Sequence, residues 1–392
     1  MEKLAFVIPW FGESIGGAEI LCKGLVQRLQ SAGYDVEVLT TCGKNAFSPW
    51  DVNFYSEGVS DVNGIPVRRF KLDGRDINLF HQLNYKLVNK EPLTEEEVYQ
   101  YLRNTINSQQ MYDFIKKSAD NYFFFFIPYL YGTTFYGSMI EPERSYHIPC
   151  LHNEPNAYFN IYTHMFNNSR GIYFLSKSEM NLAKKIYGVN PDKCFLMGGG
   201  VDRIEKAEPE AFRKKFNIED DFVVYVGRKV EGKGTSLLIK YFVEFVKENH
   251  LNLKLILIGG GSVNISRSDT IFIRDLGELP NEDKYNAISA SLFLIQPSSF
   301  ESFSIVLMEA WLLKKAVIVN ENCEVTKEHC VESNGGFYFS DYLEFAECMR
   351  LLIEKNELRK KLGENGYNYV IKNFMWEDVV KKFIEFYNIT KS

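Results

Sequence analysis

The stretch Gln296–Trp311, QPSSFESFSIVLMEAW, decides how this 392-residue chain is read. The apolar run Ser291–Ile295 leads into it as a buried strand. Pro297, Ser298 and Ser299 end that strand, and Phe303–Leu313 continues at helical spacing. Glu301 falls at the mouth of the expected helix and Glu309 further along it. At ~1.5 Å rise per residue they would stand about 12 Å apart along the axis. That exceeds the ~5–9.5 Å carboxyl separation of glycoside hydrolases and suits two groups gripping opposite ends of one elongated ligand. Between them, the backbone N–H groups of Ser302, Phe303, Ser304 and Ile305 are expected to be the unpaired donors of a helix start. Such donors, with the helix dipole, favour a phosphate or another anion.

Upstream of this stretch, strand and helix patterns alternate. Phe222–Val226 reads as a strand, 227–234 as a loop, and a helix follows to Asn249. Leu253–Ile258 and Thr270–Arg274 are further strands, with a helix near Asp283–Ser289. The loop Gly227-Arg-Lys-Val-Glu-Gly-Lys-Gly234 places Arg228 and Lys233 just beyond a strand end, between glycines and ahead of a helix. Arginine offers a planar fork and lysine a point charge, and a diphosphate can use both. The spacing meets the G-x4-G-K part of a Walker A loop, but Gly234 stands where a serine or threonine would hold magnesium.

The first half carries the same alternation. Leu4–Ile8 is a strand, Pro9–Gly17 a loop, Gly17–Ala32 a helix and Tyr34–Thr40 the next strand. Gly12, Gly16 and Gly17 thus lie where a first strand hands over to its helix, where backbone can approach a pyrophosphate closely. Their order is not GxGxxG, so a dinucleotide fingerprint is not met. Tyr122–Ile127 reads as a buried parallel strand, and another strand ends at Leu151, directly before His152-Asn-Glu-Pro155. Residues 43–121 are less regular and read as an insertion, with a strand at Ile65–Phe70 and one long helix from Thr94 to about Ser118. Gly198-Gly-Gly-Val-Asp202 opens a flexible stretch. The expected organisation is therefore an N-terminal domain 1–198, a hinge 199–210, a C-terminal domain 211–372 and a closing helical segment 373–392. Each domain is of the doubly wound α/β class, and ligands of such sheets bind at the carboxyl edge.

Hydrophobic content of 45% and charged content of 24% are those of a globular protein. A net charge of −6 excludes a dominant nucleic-acid surface. The seven cysteines form no CxxC and sit mostly in apolar stretches, which suits reduced thiols in the cytoplasm. Lys3–Ile8 reads as a strand rather than a signal peptide, and Tyr122–Tyr136, broken by Pro128 and Gly132, is too short to span a bilayer.

Taken together, Arg228 and Lys233 in GRKVEGKG, the Glu301-x7-Glu309 pair, Gly16-Gly17-Ala18-Glu19, the Gly200-Val-Asp202 turn and Phe374-Met-Trp376 resemble glycosyltransferase family 4. The likeness runs from Leu4 to about Tyr387, weakest over Lys44–Asn121. It implies a GT-B fold, two Rossmann-like domains facing across a cleft, and a retaining transferase that uses a UDP- or GDP-sugar donor. By this resemblance Arg228 and Lys233 form the diphosphate clamp and Glu309 accepts the ribose hydroxyls. Glu301, with the amides of Phe303 and Ser304, holds the donor sugar and phosphate. Gly17, beside Gly16, meets the β-phosphate, His152 lies near the donor sugar, and the backbone about Leu276 reads the base. Glu154, Tyr158 and Tyr162 are candidates on the acceptor side. The closing helix would cross back onto the first domain.

The sequence departs from the family at Gly199, where the hinge usually has asparagine, and at Asn153, where aspartate is commoner. No cofactor and no metal are expected, since Glu219-Asp-Asp221 precedes a strand rather than following one. The implied partners are a nucleotide-sugar donor and a saccharide or glycolipid acceptor of cell-surface polysaccharide assembly. Lys177, Lys184 and Lys185 are candidates for peripheral contact with the inner face of the membrane. Two alternatives stand beside this reading. A GT-B protein could bind the nucleotide sugar without catalysis. A nicotinamide-dependent oxidoreductase could take its acid from Glu37, but the glycine spacing is wrong for it.

Overall fold

A computed structural model describes residues 2–12 and 16–391. The chain forms two units: one runs to Gly200 and resumes at Trp376, and the other is Val201–Met375. The changes of unit therefore fall at Gly200–Val201 and Met375–Trp376.

In the first unit, eight strands make one sheet: β1 (Lys3–Val7), β2 (Val36–Thr41), β3 (Gly58–Val62), β4 (Ile65–Phe70), β5 (Tyr122–Phe126), β6 (Ser145–His147), β7 (Gly171–Phe174) and β8 (Cys194–Leu196). Their order is β3-β4-β2-β1-β5-β6-β7-β8. All neighbours are parallel except the β3–β4 hairpin at the edge. A strand such as β5, Tyr-Phe-Phe-Phe-Phe, is apolar on both faces because a parallel sheet is covered on both sides. One covering element is the helix Trp376–Thr390, which turns Val379, Val380, Phe383, Phe386 and Tyr387 inward at helical spacing. Phe383 stacks on Tyr173 at 4.7 Å and Phe386 on Phe195 at 4.7 Å. At the head of this helix the Trp376 ring fills a slot between two glycines. A Cβ on Gly24 would lie 2.0 Å from the ring and one on Gly200 2.1 Å from it.

Within 43–121, β4 is a full member of the sheet beside β2. The long helix expected from Thr94 to Ser118 is instead two, Glu95–Arg103 and Gln109–Ser118. Polar side chains break it. Asn107 Nδ2 donates back to the carbonyls of Leu102 and Arg103, both at 3.0 Å, and Ser108 Oγ caps the second helix by accepting from Met111 N.

The second unit holds a six-stranded parallel sheet: β9 (Asp221–Val226), β10 (Leu253–Ile258), β11 (Ile273–Asp275), β12 (Leu294–Gln296), β13 (Val317–Asn320) and β14 (Gly336–Phe339). The order is β11-β10-β9-β12-β13-β14. It reverses between β9 and its two neighbours, β10 on one side and β12 on the other, which makes the carboxyl end of β9 a topological switch point. β11 begins at Ile273, so most of the strand expected at Thr270–Arg274 is loop. Phe242, Val243 and Val246, from the helix Thr235–Glu248, join Val223, Leu255 and Ile295 in the core of this unit. Among the described residues, no helix is long and apolar enough to cross a membrane.

The Trp376 slot gives a direct test. Trp376→Ala should lower the stability of the chain by about 3–5 kcal/mol, read from urea unfolding. Gly200→Ala should destabilise the wild type by about 1–3 kcal/mol but have a smaller effect in the Trp376→Ala background, where the ring that it strikes is gone.

Candidate functional site

The carboxyl ends of β9, β10, β11 and β12 bring their loops to one edge of the second sheet. They fit closely because glycine stands at the contacts. Gly259, at φ +132°, would place a Cβ 2.1 Å from the carbonyl oxygen of Gly227, and Gly234, at φ +68°, would place one 2.5 Å from that of Pro297. Lys229 is buried beneath and ties three strand ends together. Its Nζ donates to the Gly259 carbonyl and pairs with Asp275 at 3.0 Å, and its backbone N–H donates to Gly260. The Arg228 carbonyl accepts from the Tyr225 hydroxyl at 2.7 Å, while the residue itself lies on the surface. Leu276 N donates to the Leu257 carbonyl, which fixes the backbone just beyond β11.

Lys233 ends the single turn Glu231–Lys233, and its Nζ lies 2.7 Å from Glu301 Oε1 and 3.1 Å from the Phe300 carbonyl. The two residues expected to face a ligand are thus each other's counter-ion. The structure corrects the helix that was expected to carry Glu301. It spans Ile305–Leu312, and Ser304 before it is left-handed at φ +66°. Glu301, Ser302 and Phe303 belong to the irregular turn between β12 and this helix, so a rise of 1.5 Å per residue does not relate Glu301 to Glu309. The amides at the true helix start are those of Ile305 and its successors. Ser304 Oγ is buried there, and among the described residues it has no hydrogen-bond partner.

Glu309 lies on the inner side of the helix and is 8% exposed. Lys284 Nζ meets its Oε1 at 2.6 Å and the Tyr285 hydroxyl donates to the same oxygen at 3.3 Å. Burial pushes the Glu309 carboxyl above the ordinary carboxylate value, against the pull of Lys284 and Tyr285. Lys284 and Tyr285 carry no sequence signal, since their helix Asn281–Ala290 has no clear apolar stripe and Glu309 is far along the chain.

In the first unit, Gly16 is extended at φ −95° and precedes the helix Gly17–Ser31. A Cβ on Gly16 would lie 2.6 Å from Glu19 Oε2, whereas the space about Gly17 is open. Glu13, Ser14 and Ile15 of this loop lie outside the described residues. His152 follows β6 at the same carboxyl edge, with Nδ1 3.6 Å from Glu154 Oε1. That oxygen also accepts from the buried Tyr129 hydroxyl at 2.8 Å. Tyr158 is exposed, with its hydroxyl on Asn153 at 2.8 Å. Tyr162, expected on the acceptor side, is fully buried between Tyr129 and Phe159 and faces the core.

Residues 207–369 match the model of the family described as "Glycosyl transferases group 1". An uncharacterised glycosyltransferase of Methanocaldococcus jannaschii is 25% identical over 56% of this chain and 58% of its own. The capsular polysaccharide biosynthesis glycosyltransferase CapM of Staphylococcus aureus is 31% identical over 45% of this chain and 49% of its own. These alignments span about half the length of each relative. Anabaena HepE, solved in complex with UDP and glucose, superposes with a TM-score of 0.70 at 15% identity, covering 98% of this chain and 99% of that one. The fold is GT-B.

In this GT-B protein the second carboxylate depends on one lysine, and removing that lysine has a signed consequence. Lys284→Met should destabilise the second unit by about 3–5 kcal/mol at neutral pH, because it leaves a buried charge unpaired. Protonated Glu309 needs no partner and burial already raises its pKa. The loss should therefore shrink as pH falls towards the ordinary carboxylate range and grow as pH rises through the folded-state pKa. Glu309→Gln in the same background should remove the pH dependence, read from urea midpoints between pH 4 and 8.

Proposed function

We propose that this chain is a retaining glycosyltransferase that moves a sugar from a nucleoside diphosphate donor, UDP or GDP, to a hydroxyl acceptor. The observation that carries the reading is the Lys233–Glu301 pair, set between close glycine contacts at the switch point of a parallel sheet and beside a helix start. Arg228 and Lys233 stabilise the negative charge that develops on the leaving diphosphate. The amides about Ile305 add to this with the dipole of their helix. Glu301, released by Lys233 when the diphosphate arrives, accepts hydrogen bonds from the donor sugar. Glu309, held by Lys284 and Tyr285, accepts the ribose hydroxyls, and the backbone at Leu276 meets the base. On the first unit, Gly16 and Gly17 are assigned to the phosphate, His152 to the donor sugar, and Glu154 and Tyr158 to the acceptor.

Transfer proceeds on the front face. The bond from the anomeric carbon to the phosphate oxygen breaks, the acceptor oxygen bonds to the same face of that carbon, and its proton passes to the departing phosphate. The anomeric configuration is kept, and cationic side chains take the place of a divalent ion. The match to "Glycosyl transferases group 1" and the names of the relatives support transfer as the reaction, and a relative named for capsular polysaccharide biosynthesis supports a cell-surface glycan as the product. Lys177, Lys184 and Lys185, at the two ends of the helix Lys177–Tyr187, are assigned to contact with anionic lipid.

The test is a panel of UDP- and GDP-sugars assayed for transfer and for slow donor hydrolysis. Lys233→Ala should lower kcat/KM by about 100- to 1,000-fold and weaken nucleoside diphosphate binding, with activity unaffected by chelators. Unchanged transfer in Lys233→Ala and Arg228→Ala would contradict the assignment. Proton NMR of the product should show the donor's anomeric configuration; the opposite configuration would overturn retention.

A further inference from the structure

The first unit holds a second cationic centre that none of the assignments above uses. Arg75 stands in the loop after β4, and its guanidinium packs on two aromatic rings that meet at an angle, 5.1 Å from the Trp50 ring centre and 4.6 Å from that of Phe80, the rings themselves being 5.5 Å apart. Trp50 is itself fixed. Its Nε1 donates to the Ala46 carbonyl at 3.0 Å, and its ring packs on Trp10 at 5.9 Å and Tyr131 at 5.8 Å. Phe80 stacks on Tyr101 at 5.1 Å. Among the described residues, the Arg75 guanidinium makes no hydrogen bond and no ion pair, and its Nε is buried without a partner. Asp51 is the nearby acidic group, but it does not pair with Arg75.

A guanidinium has five N–H donors, and stripping water from them without replacement is costly. Partial burial accordingly lowers the tendency of Arg75 to hold its charge. Arg69, in β4, is also unpaired at one nitrogen, but it is 5% exposed beneath Tyr55 and closed to a ligand. Arg75 is only half-buried, and Nε alone of its nitrogens is among the buried unpaired atoms, so the two terminal nitrogens remain accessible.

Its position is informative. The loops after β1, β2, β4, β5 and β6 leave the same edge of a parallel sheet, and they supply Trp10, Trp50, Arg75, Tyr131 and Glu154 respectively. The Tyr101 hydroxyl accepts from Asn156 at 3.2 Å, and that phenol feels both Glu154 and Arg75. One end of this edge therefore carries the His152–Glu154 pair and the other a cation backed by two aromatic rings.

We propose that Arg75 is the anion-reading end of the acceptor subsite, so that the accepted saccharide carries an oxyanion, a carboxylate or a phosphate, on the part remote from its reacting hydroxyl. This rests on the transferase reading only for the word acceptor; the anion site stands on its own geometry. The two rings hold the guanidinium from one side, and a bidentate oxyanion would satisfy the terminal nitrogens on the other.

The test is equilibrium binding of glucose, glucuronate and glucose 6-phosphate to the full chain, with saturating UDP to fill the donor clamp. Wild-type protein should bind at least one anionic sugar ten times or more as tightly as glucose. A preference for glucuronate identifies a uronic acid acceptor, and one for glucose 6-phosphate identifies a phosphorylated one. Arg75→Gln should abolish the preference while binding glucose as before. Arg75→Lys, which keeps the charge but loses the fork, should retain only part of it. Equal affinity of the wild type for all three sugars, or a full preference in Arg75→Gln, would overturn the proposal, and the wild-type comparison decides even if a variant fails to fold. Slow hydrolysis of the donor by wild type and Arg75→Gln alike separates the two readings. If hydrolysis is absent while the anion preference stands, the transferase reading fails and the anion site does not.

Discussion

The ion pair between Lys233 and Glu301 is the contact on which the second unit's binding edge depends. Both side chains are only partly exposed, and each offsets the charge of the other. Their meeting requires the loop after β9 and the loop after β12 to touch, which the backbone permits because Gly234 lies against Pro297 with no side chain between. The neighbouring loops obey the same constraint: Gly259 lies against Gly227, and the buried Lys229 holds the ends of β9, β10 and β11. In the proposed reaction an arriving diphosphate offers Lys233 a stronger partner and frees Glu301 for the sugar, so one exchange of partners would serve both halves of the donor.

Glu309 follows a related logic at greater depth. Its carboxyl is disfavoured as an anion by burial and restored by Lys284 and Tyr285. In the proposed reaction Glu309 accepts the ribose hydroxyls, and the hydrogen bonds from Lys284 and Tyr285 hold its carboxyl in place for that role. The first unit solves another problem, that of a broad parallel sheet covered by aromatic rings. Its final helix is pinned at Trp376 by the absence of side chains at Gly24 and Gly200. The loops at the carboxyl edge of that sheet carry His152, Glu154 and Arg75.

Much of this was legible in the chain. Apolar runs such as Phe222–Val226 and Leu253–Ile258, separated by glycine loops and helical periods, announce parallel α/β sheets, and GRKVEGKG announces cations beside a strand end. The failures have physical reasons. Glu301 reads as helical because SFSIVLMEAW keeps an apolar period, but Ser304 adopts a left-handed conformation that stops the helix short. The helix expected across residues 94–118 is broken by Asn107 and Ser108, whose side chains compete for backbone partners. Tyr162 has the chemistry of a ligand contact, yet its place on a short helix turns it into the core. Lys284 and Arg75 were invisible because each matters through partners distant in sequence: Glu309 for one, Trp50 and Phe80 for the other.

In the proposed reaction the leaving diphosphate takes over the lysine now paired with Glu301. A crystal structure with UDP bound tests it most directly. The account predicts a phosphate oxygen within about 2.7–3.2 Å of Lys233 Nζ, Glu301 released from that nitrogen, and the ribose hydroxyls on Glu309 with Lys284 still in place. UDP bound away from these residues, with the Lys233–Glu301 pair intact, would contradict it.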